Sequence, residues 1–448
     1  MRRFLLPAAI ILVLLGSIAA FVAAQVGNGG KNEPEPSAPP EPLRYATEYP
    51  AIDYSTARLS DPVAQLQTRI ARGEVELRFD ADRGYLDALL EALRIDPSSQ
   101  VLVFSQTSLQ GTRIRPERPR AIYFNDDVYV AWVQQGPIEI ASMDPNLGPV
   151  FYMLEQDQTA PAPFQRELTR CLSCHDSYSL TGGGVPRFIV GSGYTGPAGT
   201  LITHEGWILV TDQTPLRSRW GGWYVTGRHG DQVHLGNMVI RAFEDFERLD
   251  ELRIGNIDNL DALFDTRPYL TNKSDVVALM LLEHQVNVQN LITRVRYDTL
   301  TALHAENERD DGAAVSSAAL KLIDDSVEPL VQALFFVGEA QLTGTITGDA
   351  VFARQFASRA MRDERGRSLR DLDLSKRMFR YPLSYLVYSA AFDALPDATK
   401  EVVYRRIGEV LSGADRSEEF AHISAADRTA IAEILADTKP ELAAVLED

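Results

Sequence analysis

The chain predicts an α+β fold, a mixed sheet/helix N-terminal half followed by a mainly α C-terminal half. Short apolar runs bounded by Asn, Asp, Gly and Pro crowd residues 61–155 and read as strands interleaved with helices. From Ser274 onward, apolar residues recur at helical spacing instead. Between the two patterns lies Cys171-Leu172-Ser173-Cys174-His175, which holds both cysteines of the 448-residue chain.

Met1-Arg2-Arg3 is a short positive segment before an almost unbroken apolar run, residues 4–24. A signal peptide carries about 7–15 apolar residues and a spanning helix about 20. The run has an anchor's length, yet Val22-Ala23-Ala24 before Gln25 is an acceptable cleavage site. Residues 1–24 are therefore expected to be a signal peptide or membrane anchor. Either way the body is exported and periplasmic, and an uncleaved segment would hold it at the cytoplasmic membrane. Residues 25–50 form a Pro/Gly/Glu-rich linker, an extended and partly stiff tether. The rest exceeds the usual single core and divides into a mixed α/β region, 51–255, containing the cysteine motif, and a helical region, 256–448.

Asp61-Pro62 caps a helix that runs to Ala71. Residues 75–79 alternate like a strand, residues 85–95 form a second amphipathic helix, and residues 101–104 a short apolar strand. Residues 121–124 and 128–133 flank Asn125-Asp126-Asp127 and read as a β-hairpin, since Asn and Asp tolerate the turn conformations. Residues 138–141 and 150–154 add strands. The cysteine motif sits in a short helix after Phe164, and Thr181-Gly182-Gly183-Gly184-Val185-Pro186 is a loop that lets backbone approach a flat ligand. Residues 201–202 and 208–210 are further strand candidates. Ser274-Asp275 caps a long helix with Val277, Leu281, Val288, Leu291 and Val295 among its apolar positions. Further helices are expected near 315–337, 349–361, 383–392, 397–411 and 424–437.

Two thiols three positions apart can each add across a haem vinyl group, and the following histidine is placed to bind the iron. The pattern predicts one haem c per chain, with Cys171 and Cys174 as thioether residues and His175 as proximal axial ligand. A disulfide between these cysteines would close a strained loop. A thioredoxin-like pair would follow a strand in a βαβ unit and has no need of His175. A zinc site lacks a fourth ligand, since no second CxxC or HxxxH exists.

The position opposite His175 decides the function: methionine raises the potential, a second histidine lowers it, and an open site permits ligand binding. The candidates for sixth ligand rank as His234, His229 and Met238, followed by His284, which reads first as a packed mid-helix residue. Met143 and Met153 read as sheet or core residues.

Net charge is −18. That disfavours nucleic acid and anionic membrane surfaces as partners and favours a basic redox partner protein, although ordinary solubility charge explains it equally well. Electron transfer is the leading expectation. A haem-dependent oxidoreductase is the alternative, because the chain far exceeds what one haem needs; its pocket would draw on the glycine loop, the Trp220–Trp223 segment and the run 362–370. A haem-bearing scaffold or sensor is the third reading.

The chain resembles a group of bacterial exported monohaem proteins labelled cytochrome c domain-containing. The resemblance covers residues 51–413 and rests on several stretches besides the cysteine motif. These are Val101-Leu102-Val103-Phe104-Ser105, Tyr123-Phe124-Asn125-Asp126-Asp127-Val128-Tyr129-Val130, and Arg219-Trp220-Gly221-Gly222-Trp223-Tyr224-Val225-Thr226-Gly227. Leu282-Glu283-His284-Gln285, Gly366-Arg367-Ser368-Leu369-Arg370-Asp371 and Phe379-Arg380-Tyr381-Pro382 complete it. It implies haem and iron at Cys171, Cys174 and His175 with an electron-transfer role, and carries no substrate with it.

Overall fold

The sheet follows the chain directly. A computed structural model describes residues 46–157, 164–177, 184–307 and 315–444. The expected signal or anchor, most of the linker and residues 181–183 of the glycine loop lie outside the described residues. The fold is mixed α/β, and residues from Tyr45 onward form one compact unit.

Six strands make an antiparallel meander in which each pairs with the next: β1 (Val101–Val103), β2 (Arg120–Phe124), β3 (Val128–Trp132), β4 (Ile138–Asp144), β5 (Gly148–Leu154) and β6 (Gln165–Arg166). The expected hairpin is present. Asn125 Oδ1 accepts from the N–H groups of Asp127 (3.0 Å) and Val128 (2.9 Å) and closes the turn.

Both faces of this sheet are buried, so its strands read as near-continuous apolar runs. Leu102, Val128, Val130, Val150 and Tyr152 join a core with α1 (Pro62–Ala71) and α2 (Leu86–Leu93). Val101, Val103, Tyr129 and Phe151, one residue out of phase, join a core with the C-terminal helices. The two-residue period of a strand assigns each side chain to its face. Asp61 caps α1 as expected, and its other carboxylate oxygen accepts from Tyr152 Oη at 2.6 Å, linking helix to sheet.

The helical half is built on α4 (Val276–Asn307), whose residues 276–286 are all buried. α3 is the single turn Leu172–His175. Asp275 alone caps α4, accepting from Val277 and Ala278. Ser274 instead donates to the Tyr224 carbonyl (2.6 Å) and accepts from Leu102 N–H (2.9 Å), which ties the helix start to the sheet. Around it pack α5 (Ser317–Leu334), α6 (Ala350–Ser358), α7 (Asp397–Ser412) and α8 (Ala425–Thr438). Among the described residues no helix is long and apolar enough to cross a membrane.

Three expectations need correction. Residues 75–79 are extended but pair with no strand; Phe79 packs edge-on against Tyr85, and the only ladder contact nearby is the Asp80–Gly84 bridge. Residues 201–202 contribute one isolated bridge, Thr195–Leu201, whereas β8 (Trp207–Leu209) pairs with an unexpected β7 (Gly191–Gly193). Residues 383–392 split into a 3-10 turn, Tyr385–Tyr388, and one α turn, Ala390–Asp393, because Ser384 and Ser389 each cap a new start.

Candidate functional site around Cys171, Cys174 and His175

The cysteine motif is one turn of helix directly after the last sheet strand. Its His175 N–H donates to the Cys171 carbonyl at 2.9 Å, so Cys171, Cys174 and His175, at i, i+3 and i+4, share a face. Both thiols are free; Cys171 is half-buried and Cys174 exposed. Burial pushes the Cys171 thiol up to about 12, helped by Glu167 and Glu139 and opposed by Arg170. An attacking thiol in a redox pair needs the opposite shift.

His175 is held by one neighbouring segment. Its Nδ1 lies 2.7 Å from the Arg187 carbonyl oxygen, while Arg187 N–H donates to the His175 carbonyl at 2.9 Å. A carbonyl only accepts, so Nδ1 carries the ring proton and Nε2 keeps its lone pair. Burial lowers the pKa and keeps the ring neutral. This is the arrangement that orients ligating histidines. The ring packs on Phe151, centroids 4.4 Å apart, and Phe151 meets Phe188 at 6.4 Å. Asn290 of α4 clamps Phe188 from both sides: Oδ1 accepts from its N–H (2.8 Å) and Nδ2 donates to its carbonyl (2.9 Å). The long helix therefore positions the segment that orients His175.

Arg120 and Glu139, paired at 3.0 Å, both act electrostatically on His175. Among the described residues, Arg120 Nε and Asp176 Oδ1 are buried without hydrogen-bond partners. Burial also raises the Asp176 carboxyl to about 6. Two free thiols and a neutral histidine with a fixed tautomer fit the chemistry of covalent haem attachment. A cavity of about 30 Å³ beside Arg187 and Phe188 is far below the roughly 300–1,000 Å³ of ligand pockets. Residues 158–163 and 178–183, which border the motif, lie outside the described residues. Among the described residues no group of three or more His, Cys, Asp or Glu side chains could hold a bare metal ion.

Two of the remaining ligand candidates, His229 and His234, pack against each other. His229 commits both ring nitrogens, Nδ1 to the Gln232 carbonyl (2.6 Å) and Nε2 to Asn256 N–H (3.0 Å). His234 accepts from Gly236 N–H at Nδ1 (3.0 Å), which puts the proton of its neutral ring on a buried, unpartnered Nε2. Burial lowers its pKa to about 3, with His229 and Arg253 adding to the effect. Its ring meets His229 at 4.7 Å and Trp220 at 5.2 Å. Met238 is buried at 2 % exposure.

His284 belongs to a buried relay that the sequence does not announce. Its Nδ1 donates to Asp212 Oδ2 at 2.8 Å, and Nε2 accepts from Ser384 Oγ at 2.7 Å. Beside it, Glu283 pairs with Arg219 at 2.7 Å, and Arg219 spends its other nitrogens on the carbonyls of Thr214 (2.6 Å) and Asp212 (2.8 Å). Burial raises Glu283 to about 7 against the pull of Arg219 and Trp220. Phe336 stacks on His284 at 4.3 Å from a left-handed backbone, φ 58°. Asp, His and Ser in this order suit nucleophilic chemistry. Here Ser384 is 0 % exposed and already accepts Leu386 N–H, so the relay holds the fold. The available signal was the polar Glu283-His284-Gln285 step in an otherwise apolar stretch of helix; Asp212 and Ser384 carry no local signal.

Comparison of the chain with protein-family models, with curated proteins and with solved structures gave no match.

Proposed function

We propose that the protein is an exported monohaem c-type cytochrome-like protein that transfers electrons to or from a redox partner protein. One observation carries the reading: beside two free thiols, the His175 Nδ1–Arg187 carbonyl bond leaves Nε2 as the available ligand atom. Cys171 and Cys174 would hold the haem through thioethers, and His175 would bind its iron. The group supplies one-electron chemistry when bound. The chain's own contribution is orientation. Arg187 and Asn290 fix the imidazole, Phe151 limits its rotation, and Arg120 would be available to hold a carboxylate of the haem. The net charge of −18 favours a basic partner through electrostatic steering. Residues 1–24 would direct export or hold the protein at the cytoplasmic membrane.

Expression with a haem-attachment system tests this. A c-type spectrum is expected, and Cys174→Ser should lose one thioether and shift the pyridine haemochrome band. Purified protein without covalent haem would end the proposal.

A haem-dependent oxidoreductase is the second reading. It is favoured by the hydrogen bonds that already occupy both ring nitrogens of His229 and Nδ1 of His234, which suits an open sixth position. Carbon monoxide binding to the ferrous protein would support it; a six-coordinate low-spin spectrum unaffected by carbon monoxide would support electron transfer alone.

A further inference from the structure

A cavity of about 340 Å³ opens where the β3–β4 hairpin meets the turn before α2. That volume falls within the roughly 300–1,000 Å³ of small-molecule sites. Its walls are tied together by one side chain. Gln156 Oε1 accepts from Tyr85 N–H, and Gln156 Nε2 donates to the Gly136 carbonyl, both at 2.9 Å. The turn at residue 84 must be glycine, with φ 64° and a Cβ that would fall 1.7 Å from Gln156 Oε1. Gly136 is needed too, because a Cβ there would meet Gln110 Oε1 at 2.0 Å. Between these supports Gln135 lines the cavity from a left-handed conformation, φ 60°, which costs energy in a residue with a Cβ.

The polar groups are incompletely matched. Trp132 lines the cavity, and its indole Nε1 is buried without a hydrogen-bond partner; Gln110 Oε1, against Gly136, is in the same condition. Arg83 is committed to Asp87 at 3.0 Å. By contrast, the side chains of Arg113, Asp82 and Glu155 line the cavity without an ion pair or hydrogen bond among the described residues. A simple anion entering here would face Asp82 and Glu155, and a simple cation would face Arg113 and Arg83. A molecule with a separated ammonium and carboxylate satisfies both signs, while Phe79 offers aromatic surface to the rest of it.

We infer that this cavity is a binding site for a small zwitterion of the amino-acid class. The carboxylate is taken by Arg113 and the ammonium by Asp82 and Glu155. The inference is independent of haem, because none of these residues belongs to the cysteine motif.

Calorimetric titration of the full chain with each of the common amino acids tests it, with acetate and methylammonium as single-charge probes. At least one amino acid should bind, neither single-charge probe should match it, and Arg113→Ala and Glu155→Gln should each weaken it about tenfold or more. Both side chains are exposed, so unfolding transitions of the variants should match the parent and exclude misfolding. Absence of binding by every amino acid, equal binding of acetate or methylammonium, or unchanged affinity in both variants would overturn the assignment.

Discussion

Asn290→Ala is expected to destabilise the protein by about 2–6 kcal/mol. The figure follows from two bonds. Asn290, 5 % exposed, satisfies both backbone groups of Phe188, itself 5 % exposed, at 2.8 Å and 2.9 Å. Truncation leaves a buried N–H and a buried carbonyl without partners, and each orphan costs about 1–3 kcal/mol. The recovered side-chain entropy is smaller than either. Such a loss is a large share of the roughly 5–15 kcal/mol that stabilises a folded chain. Urea unfolding measures it, with the midpoint lowered and the slope unchanged. Asn287→Ala, one residue type on the same helix without those bonds, serves as the control and should stay within about 0.5 kcal/mol. The segment that moves also supplies the Arg187 carbonyl, so the His175 Nδ1 proton should exchange faster with solvent in Asn290→Ala. A stability loss under about 1 kcal/mol, with that proton equally protected, would refute the claim that α4 positions the histidine.

Three more outcomes follow from the same kind of reasoning. Gly73 and Gly148 both have left-handed backbones (φ 71° and 73°), but a Cβ at Gly73 meets open space whereas one at Gly148 lies 2.3 Å from Thr293 Cγ2. Gly73→Ala should therefore cost about 1 kcal/mol and Gly148→Ala about 2–4, with Thr293→Ala recovering part of the difference; equal costs in denaturant melts would contradict this. Glu283 is raised from 4.5 to about 7, so its stabilising protonated form is fully present below pH 4.5 and is lost as pH rises through 7. Stability should fall across that window by up to about 1.4 kcal/mol per pH unit from this group, and Glu283→Gln should flatten the fall in urea titrations at several pH values. His284→Ala, which strips the buried Asp212 carboxylate of its imidazole partner, should cost about 3–5 kcal/mol by thermal and urea unfolding; a cost under about 1 would remove the relay from the account.

What the sequence disclosed depends on how local the governing interaction is. Asp61 with Pro62 and the Asn125 turn act within three residues, and both features are as expected. Residues 75–79 have a strand's alternation, but alternation describes one strand and not its partner, and among the described residues they join neither sheet. Gly191–Gly193 has no side-chain pattern at all; its pairing with Trp207–Leu209 depends on glycine, since a Cβ at 191 would fall 2.2 Å from the Trp207 ring. The cysteine motif is legible because identity and spacing carry its chemistry. Its orientation is not, because the Arg187 carbonyl is 12 residues away and Asn290 reaches Phe188 across 102. Likewise, His229 and His234 are conspicuous in sequence, but only their bonds reveal which ring nitrogen is free.

The two-faced sheet bears on how the chain can be divided. Val101, Val103, Tyr129 and Phe151 share a core with α4 as well as with Phe188, Trp220 and Trp223, and Ser274 bonds directly to Leu102. A chain ending near residue 255 would lose the α4 side of that core and the Asn290 clamp on Phe188, baring apolar surface to water and to other copies of itself. Such a fragment should aggregate or be cut by proteases even though it contains every strand and the complete cysteine motif. The half that carries the motif is thus completed by residues of the helical half, in keeping with the one compact unit formed from Tyr45 onward.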